Sequence, residues 1–437
     1  MLVPRTPLQA YLLDAAEPEV DAQADRWLAG VLTYGTALER AVLTAGAAAT
    51  VPEKAGDARF QDSAGVIALD AEYDHLCALA EEHGIAGLGV APGSVQPSDD
   101  GQTRISALTR TVAEEAEQRG ALHLAYSLLA LGERFPRAAS PLERGRVLAH
   151  RARIARKADE TAIAEELYRR VQALAEDCSS DELRARALIG RGVLAHSKGN
   201  YPAARRFYTK AARRAKSSCE PSLIRHAYHG LMVVAAKHGE LDRAFKAGWL
   251  AFRGAAGDPH AEADMLLNLA QLAFDAGHER AALHAFAAAL AREPAPWRRL
   301  AALGGAARAA AALGERELLE ACARRIEAYD AASASFAYPR AAALWEAARA
   351  YSTAGMPAES LVFARRTNAL ASAHEFHELV LESEQLIAHL MQTPTSPAIV
   401  RRQDAGTKPS AASRVAGHAV LRRLTLLAHP ERVLAHL

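Results

Sequence analysis

Residues 374–378 read His-Glu-Phe-His-Glu, which sets His374 and His377 three positions apart with Glu375 and Glu378 beside them. Two imidazoles one helical turn apart can share a metal ion. The zinc-hydrolase spacing His-Glu-x-x-His, however, puts its two histidines four apart on one helix face. No third ligand stands at a useful distance along the chain, so the segment reads as a polar helix face, and His226 with His229 reads the same way. The Gly-rich stretch AGLGVAPGS at 86–94 follows no strand and lies in a Gly/Pro-rich break, which makes it a linker rather than a phosphate loop. Gly-x-Ser-x-Gly nucleophile elbows are absent. Asp70, Glu72 and Asp74 could serve an acid–base pocket in an N-terminal enzyme module, but an exposed acidic helix face is the plainer reading. The expectation is no catalytic residue, no metal, no cofactor and no enzyme.

A second set of side chains is suited to binding. Arg146, His150, Arg153, Arg156 and Lys157 cluster in 142–157; Arg186 and His196 follow, then His226, His229 and Lys237. Fixed cations can hold a carboxylate-rich peptide, a free C-terminus or a phosphorylated segment through charge-assisted hydrogen bonds. Whether these residues form one strip depends on the elements that carry them.

Half of the 437 residues are hydrophobic, but only 10 Phe, 11 Tyr and 4 Trp are available, and Ala supplies much of the remainder. Ala- and Leu-rich cores suit helices that approach closely, and the β-branched alternation of sheets is nearly missing. The chain is therefore expected to be all-α. Residues 1–101 form an acidic helical module, with helices near 21–46 and 66–83; a flexible break covers 84–102. A helical zone spans 103–392, a linker follows at 393–410, and a last helix runs over 411–437.

The long zone repeats itself. In ALIGRGVLAHSKGNYPAARRFYTKAARRA a helix ends near Ser197, Gly199 and Asn200 make a turn, and a new helix begins near Pro202. Ala204, Tyr208 and Ala211 then fall on one stripe. The pattern returns as Ala244, Gly248 and Ala251 after Gly239, and as Ala282, Phe286 and Ala289 after Gly277. Upstream it appears as Ala164, Tyr168 and Val171, and as Ala125 with Leu129 after Gly120. The anchors at 125, 164, 204, 244 and 282 are spaced 39, 40, 40 and 38. Fainter copies turn at Gly314 and Gly355. One helix pair cannot bury its apolar stripe alone, so pairs of this kind must stack.

Leu266, Leu269, Ala270, Ala273, Ala282, Phe286, Ala289 and Pro294 resemble the spaced positions of the tetratricopeptide repeat family. The resemblance covers 103–392. It departs from the family in its period near 40, against the usual 34, and in Leu319, which stands at a small-residue position. Long-period repeats of some bacterial regulators are similar. The resemblance implies a right-handed superhelical solenoid of six or seven antiparallel helix pairs, with a concave face lined by the first helix of each pair and open to a peptide. With the alanines setting the phase, the cations named above point towards that face. Lone carboxylates, Asp264 and Asp275, appear only in the next repeat. The competing reading is a solvated face whose arginines pair with Glu165, Glu166 and other acids across helices.

Charge is uneven. Residues 1–100 hold five Arg/Lys against sixteen Asp/Glu, a net of −11 within a total of +1. Such a module is unsuited to neutralising phosphates, so no direct DNA binding is expected. The tail 393–437 is basic, with seven Arg/Lys and two Asp/Glu. Val415, Val420, Leu421, Leu424 and Leu427 form an apolar stripe beside Arg414, Arg422 and Arg423. This helix is expected to cap the open end of the solenoid rather than to rest on an anionic membrane surface. Cys77, Cys178, Cys219 and Cys322 are scattered, as suits a reducing compartment, and neither a leader nor a spanning segment is legible, so a cytoplasmic site is expected. The functional expectation is a scaffold, adaptor or peptide-binding receptor. The alternative is a transcription-associated sensor working through a partner, which a helix-turn-helix within 25–85 would favour.

Overall fold

The computed structural model describes residues 101–118, 121–133, 140–292, 294, 296–329, 337–392 and 418–427, with helical stretches within 30–41 and at 75–79. Among the described residues there is no strand, and the chain divides into two compact units at Leu223/Ile224. Asp70, Glu72, Asp74, the break at 84–100 and the linker at 393–410 lie outside the described residues.

The first unit contains α1 (Gly101–Gln118), α2 (Leu122–Gly132), α3 (Pro141–Lys157), α4 (Thr161–Asp177), α5 (Asp181–Ser197) and α6 (Tyr201–Ser217). Each helix packs on the next, and the odd-numbered helices also pack on one another, α1 on α3 and α3 on α5. This is the stacking of helix pairs that the repeat demands. The anchors Ala125, Ala164 and Ala204 are fully buried, as are Val171 and Ala211. Val31, Tyr34, Leu38 and Leu76 of the N-terminal stretches are buried against α1 and α2, and the Tyr34 hydroxyl lies 3.3 Å from that of Thr109.

Helix starts are fixed by side-chain caps: Ser140 accepts from the Glu143 amide at 3.2 Å, Ser180 from Leu183 at 3.2 Å and Asn200 from Ala203 at 3.1 Å. Helix ends close with a left-handed residue. At Gly199, φ is +72°, and the Asn200 amide donates back to the Ala195 carbonyl at 2.8 Å, a Schellman closure. The equivalent residue after α3 is Asp159 and the one after α4 is Ser179, both at positive φ without the freedom of glycine.

The second unit begins in α7 (Pro221–Lys237). It continues with α8 (Leu241–Arg253), α9 (Pro259–Asp275), α10 (Glu279–Leu290), α11 (Pro296–Leu313), α12 (Arg316–Glu327), α13 (Ala337–Thr353), α14 (Pro357–Ala373), α15 (His377–Gln392) and α16 (His418–Leu427). Here too pairs stack: α9 on α11, α11 on α13 and α13 on α15. Ala244, Ala251, Ala282 and Ala289 are fully buried, and Leu319 is buried in place of a small residue.

The C-terminal helix is not where the sequence suggested. Instead of closing the last pair, α16 lies along α10 and reaches α8. The reason is written in α10, ERAALHAFAAAL, which has no polar face: residues 281–289 are all buried. A helix apolar all round needs cover on every side. Val420, Leu421 and Leu424 join its core, and the Arg423 guanidinium sits 5.3 Å from the Trp249 ring. Among the described residues no helix is long and apolar enough to cross a membrane, and no disulfide joins the four cysteines.

Candidate functional site

Helices α1, α3 and α5 present side chains to one another along their shared side. Because these helices stack at the repeat spacing, a residue of α3 meets α1 on one flank and α5 on the other. Glu117 of α1 is almost fully buried. It accepts from His150 Nε2 at 2.9 Å and from Arg153 Nη2 at 2.6 Å, and Lys157 Nζ lies 2.7 Å away. Glu143, also buried, takes Arg110 Nε at 2.5 Å and Arg146 Nη1 at 3.3 Å. Glu182 takes Arg146 through two nitrogens, Nε at 2.9 Å and Nη2 at 2.8 Å, and Arg186 Nε at 2.8 Å.

The electrostatics follow from the geometry. Burial alone would raise the pKa of Glu117, but the hydrogen bond from His150 and the charges of Arg153 and Lys157 outweigh it and hold it at about 2. Glu182 is likewise held at about 2 against burial by Arg146 and Arg186. Burial pushes His150 below its ordinary value despite its bond to Glu117, so the ring is neutral near pH 7. His150 Nε2 lies 2.9 Å from the Glu117 carboxylate, to which a protonated Nε2 donates, and 3.0 Å from Arg153 Nη2. Arg146 is raised, chiefly by its hydrogen bonds to Glu182.

The structure thus brings together Arg146, His150, Arg153, Lys157 and Arg186 from the sequence-derived strip. Their partners are not Glu165 and Glu166, which pair with Arg191 and Arg169, but Glu117, Glu143 and Glu182. Arg156 joins none of these ion pairs: its charge acts on the phenols of Tyr168 and Tyr208, and its Nε is buried without a hydrogen-bond partner. His196 ends α5 with its ring edge-on to Tyr201 at 5.3 Å. His226, His229 and Lys237 belong to α7, almost all of which lies in the second unit, where His229 is lowered by burial and Lys237 is exposed. In that unit Asp264 pairs with Arg298 and Asp275 accepts from Gln271 at 2.7 Å.

Sequence reasoning missed the three glutamates and Arg110. One signal was present: Glu143 and Glu182 are 39 residues apart, one repeat period. Histidines 374 and 377 do not share a helix face. His374 follows α14, with its ring stacked on Phe376 at 5.6 Å. Glu375 takes a left-handed φ of +57° and His377 opens α15. Among the described residues no group of His, Cys, Asp or Glu is placed to hold a metal ion.

No family model matches the sequence, and no curated protein matches it. Solved structures give distant likenesses. A signal transduction ATPase with numerous domains and a tetratricopeptide repeat sensor, from Pyrococcus horikoshii, is 13% identical with a TM-score of 0.49, over 74% of this chain and 47% of that one. Aspartyl phosphate phosphatase F from Bacillus subtilis is 9% identical with a TM-score of 0.38, over 89% and 99%. BtubC (BKLC) from P. vanneervenii is 16% identical with a TM-score of 0.35, over 49% and 83%. At these scores the likenesses lend no support to any activity or partner for this chain.

Proposed function

We propose that this protein acts by binding a partner protein, as a scaffold or adaptor and without a chemical step of its own. The shared side of α1, α3 and α5 would hold an acidic segment of that partner: a carboxylate-rich stretch, a free C-terminus or a phosphorylated run. One observation carries this reading. Five cations, Arg110, Arg146, Arg153, Lys157 and Arg186, are tied to four carboxylates, of which Glu117, Glu143 and Glu182 lie beneath them and Glu114, 3.8 Å from Arg153, is exposed.

The buried carboxylates fix the cations, which outnumber them and keep part of their side chains in solvent. Arg153 is 38% exposed and Lys157 45%, whereas Glu117 beneath them is 5% exposed. Side chains already ordered by such anchors lose little further rotamer freedom on binding. Each exposed contact is worth roughly 0.2–1 kcal/mol, so affinity requires several together and falls with salt.

The test uses the full chain and a fluorescein-labelled 12-residue peptide rich in Asp and Glu, titrated by anisotropy. Wild type should bind, more weakly as salt rises, and R153Q/K157Q should bind about tenfold more weakly with unchanged helicity. Absent binding, or equal binding by the double variant, would remove the proposal.

A further inference from the structure

Helices α4, α5 and α6 enclose an open groove of about 600 Å³ on a different side of the first unit. Gln172 and Glu176 of α4 form one wall, and Lys210, Arg213, Arg214 and Ser217 of α6 the other. Arg184 and Leu188 of α5 make the floor. Asp181 binds Arg184 at 3.1 Å and Arg214 at 3.0 Å, which accounts for those two cations. Lys210 and Arg213 are exposed and make no ion pair among the described residues. Helix α6, YPAARRFYTKAARRAKS, has six Arg/Lys and no acid to offset them.

The cleft is built into the repeat. Adding 156 to the residue numbers carries Arg184 to Arg340, Leu188 to Leu344, Lys210 to Arg366 and Arg214 to Leu370. Those residues line a second groove, of about 420 Å³, among α12, α13 and α14. There the rim is mostly apolar, with Ala369 and Ala373 on it, and Arg366 is engaged by Glu327. In the α8–α9–α10 set, a shift of 78 turns Arg184 into Glu262 and Arg214 into Arg292. These pair at 2.6 Å beneath the Phe252 ring, so that copy is filled by its own side chains. Of these three copies, the one in the first unit has two exposed, unengaged cations on its rim, Lys210 and Arg213, whereas the open groove of the second unit has Arg340 alone without an ion pair. In the second unit α10, the counterpart of α6, already carries a helix on its apolar surface: α16 lies along it and reaches α8 with Val420, Leu421 and Leu424 buried.

We infer that the groove between α4 and α6 docks an acidic amphipathic helix of a partner protein. Its apolar stripe would rest on Leu188 and on the aliphatic stems of Lys210, Arg213 and Arg214, with its carboxylates meeting Lys210 and Arg213. A nucleic acid fits less well, because no aromatic ring lines the groove for bases to stack on. The inference does not depend on the α1–α3–α5 reading, since it uses other side chains.

The probe is a labelled synthetic helix of about 18 residues, with Leu at i, i+3, i+4 and i+7 and Glu on the flanking positions. A second peptide of the same composition carries two central prolines. Against the full chain, the helix should bind about tenfold more tightly than the proline peptide. Both K210E/R213E and the milder K210Q/R213Q should weaken it while leaving helicity and the melting curve unchanged. R153Q/K157Q should leave it unaffected. Carbodiimide coupling should join the peptide to Lys210. Equal binding of the proline peptide, full affinity in both Lys210/Arg213 variants, coupling at Lys157 alone, or displacement of the helix by a single-stranded RNA at equal concentration would each overturn the inference.

Discussion

Glu117 of α1 accepts a hydrogen bond from His150 of α3 at 2.9 Å, with both side chains nearly removed from solvent. The pair locks neighbouring helices of the stack and gives the first unit an acid sensitivity whose sign can be worked out. His150 is lowered by burial, so the unfolded ring takes up a proton first, and stability falls as pH drops below about 6.5. Glu117, held at about 2 in the folded chain, contributes stability that is complete above about 4.5 and lost as pH falls from there to 2. Denaturant unfolding at pH 8, 6.5, 5.5 and 4 should show both stages. His150→Asn should flatten the upper one; equal slopes between pH 7.5 and 5.5 in variant and wild type would contradict it.

Glu182 tests the anchors from the other end. Glu182→Gln removes the charge that both Arg146 and Arg186 share. Losing one partner of a largely buried pair costs about 3–5 kcal/mol, so the melting temperature should fall well beyond the effect of a surface change such as Glu166→Gln. Calorimetry of the two variants side by side decides it.

Close approach between helices gives a third expectation. A Cβ on Gly190 would stand 2.0 Å from Tyr168 Cζ, and one on Gly192 would stand 2.7 Å from Tyr208 Cε1. Gly190→Ala should therefore destabilise by about 1–3 kcal/mol or more through overpacking. Tyr168→Leu in the same chain should recover part of that loss. The double-mutant cycle, read by chemical denaturation, would show additive losses if the clash were not the cause.

Ser179 closes α4 at φ +52° without being glycine. Ser179→Gly relieves that strain, and the chain should gain roughly 0.5–1 kcal/mol after the entropic cost of the added glycine. A lower melting temperature would show that the strain is smaller than that cost.

The repeat was legible because its cause is local and periodic. Ala164, Ala204, Ala244 and Ala282 had to be small where helices cross, and each is fully buried. Helix ends were legible too, since Gly199 and Asn200 carry their own turn chemistry. The site was half legible. Arg146, His150, Arg153, Lys157 and Arg186 share a side, but Arg156 joins none of their ion pairs and instead lies where its charge acts on Tyr168. Glu143 and Glu182 also stand at i,i+3 and i,i+4 to Arg146 and Arg186, a pattern within one helix, but the pairs between stacked helices join residues 33–40 positions apart, which no such pattern shows. The place of α16 was hidden for a related reason. Its own stripe says that it must dock, but only the apolar outer surface of α10 says where.

The reading that α1, α3 and α5 hold an acidic segment is tested most directly by zero-length carbodiimide coupling of the Asp/Glu-rich 12-residue peptide to the full chain, followed by peptide mapping. Lys157 stands on that side at Glu117, and Lys210 stands in the α4–α6 groove. Coupling at Lys157, suppressed by salt and weakened in Arg153→Gln, is the predicted result. Coupling at Lys210 with none at Lys157 would contradict the account.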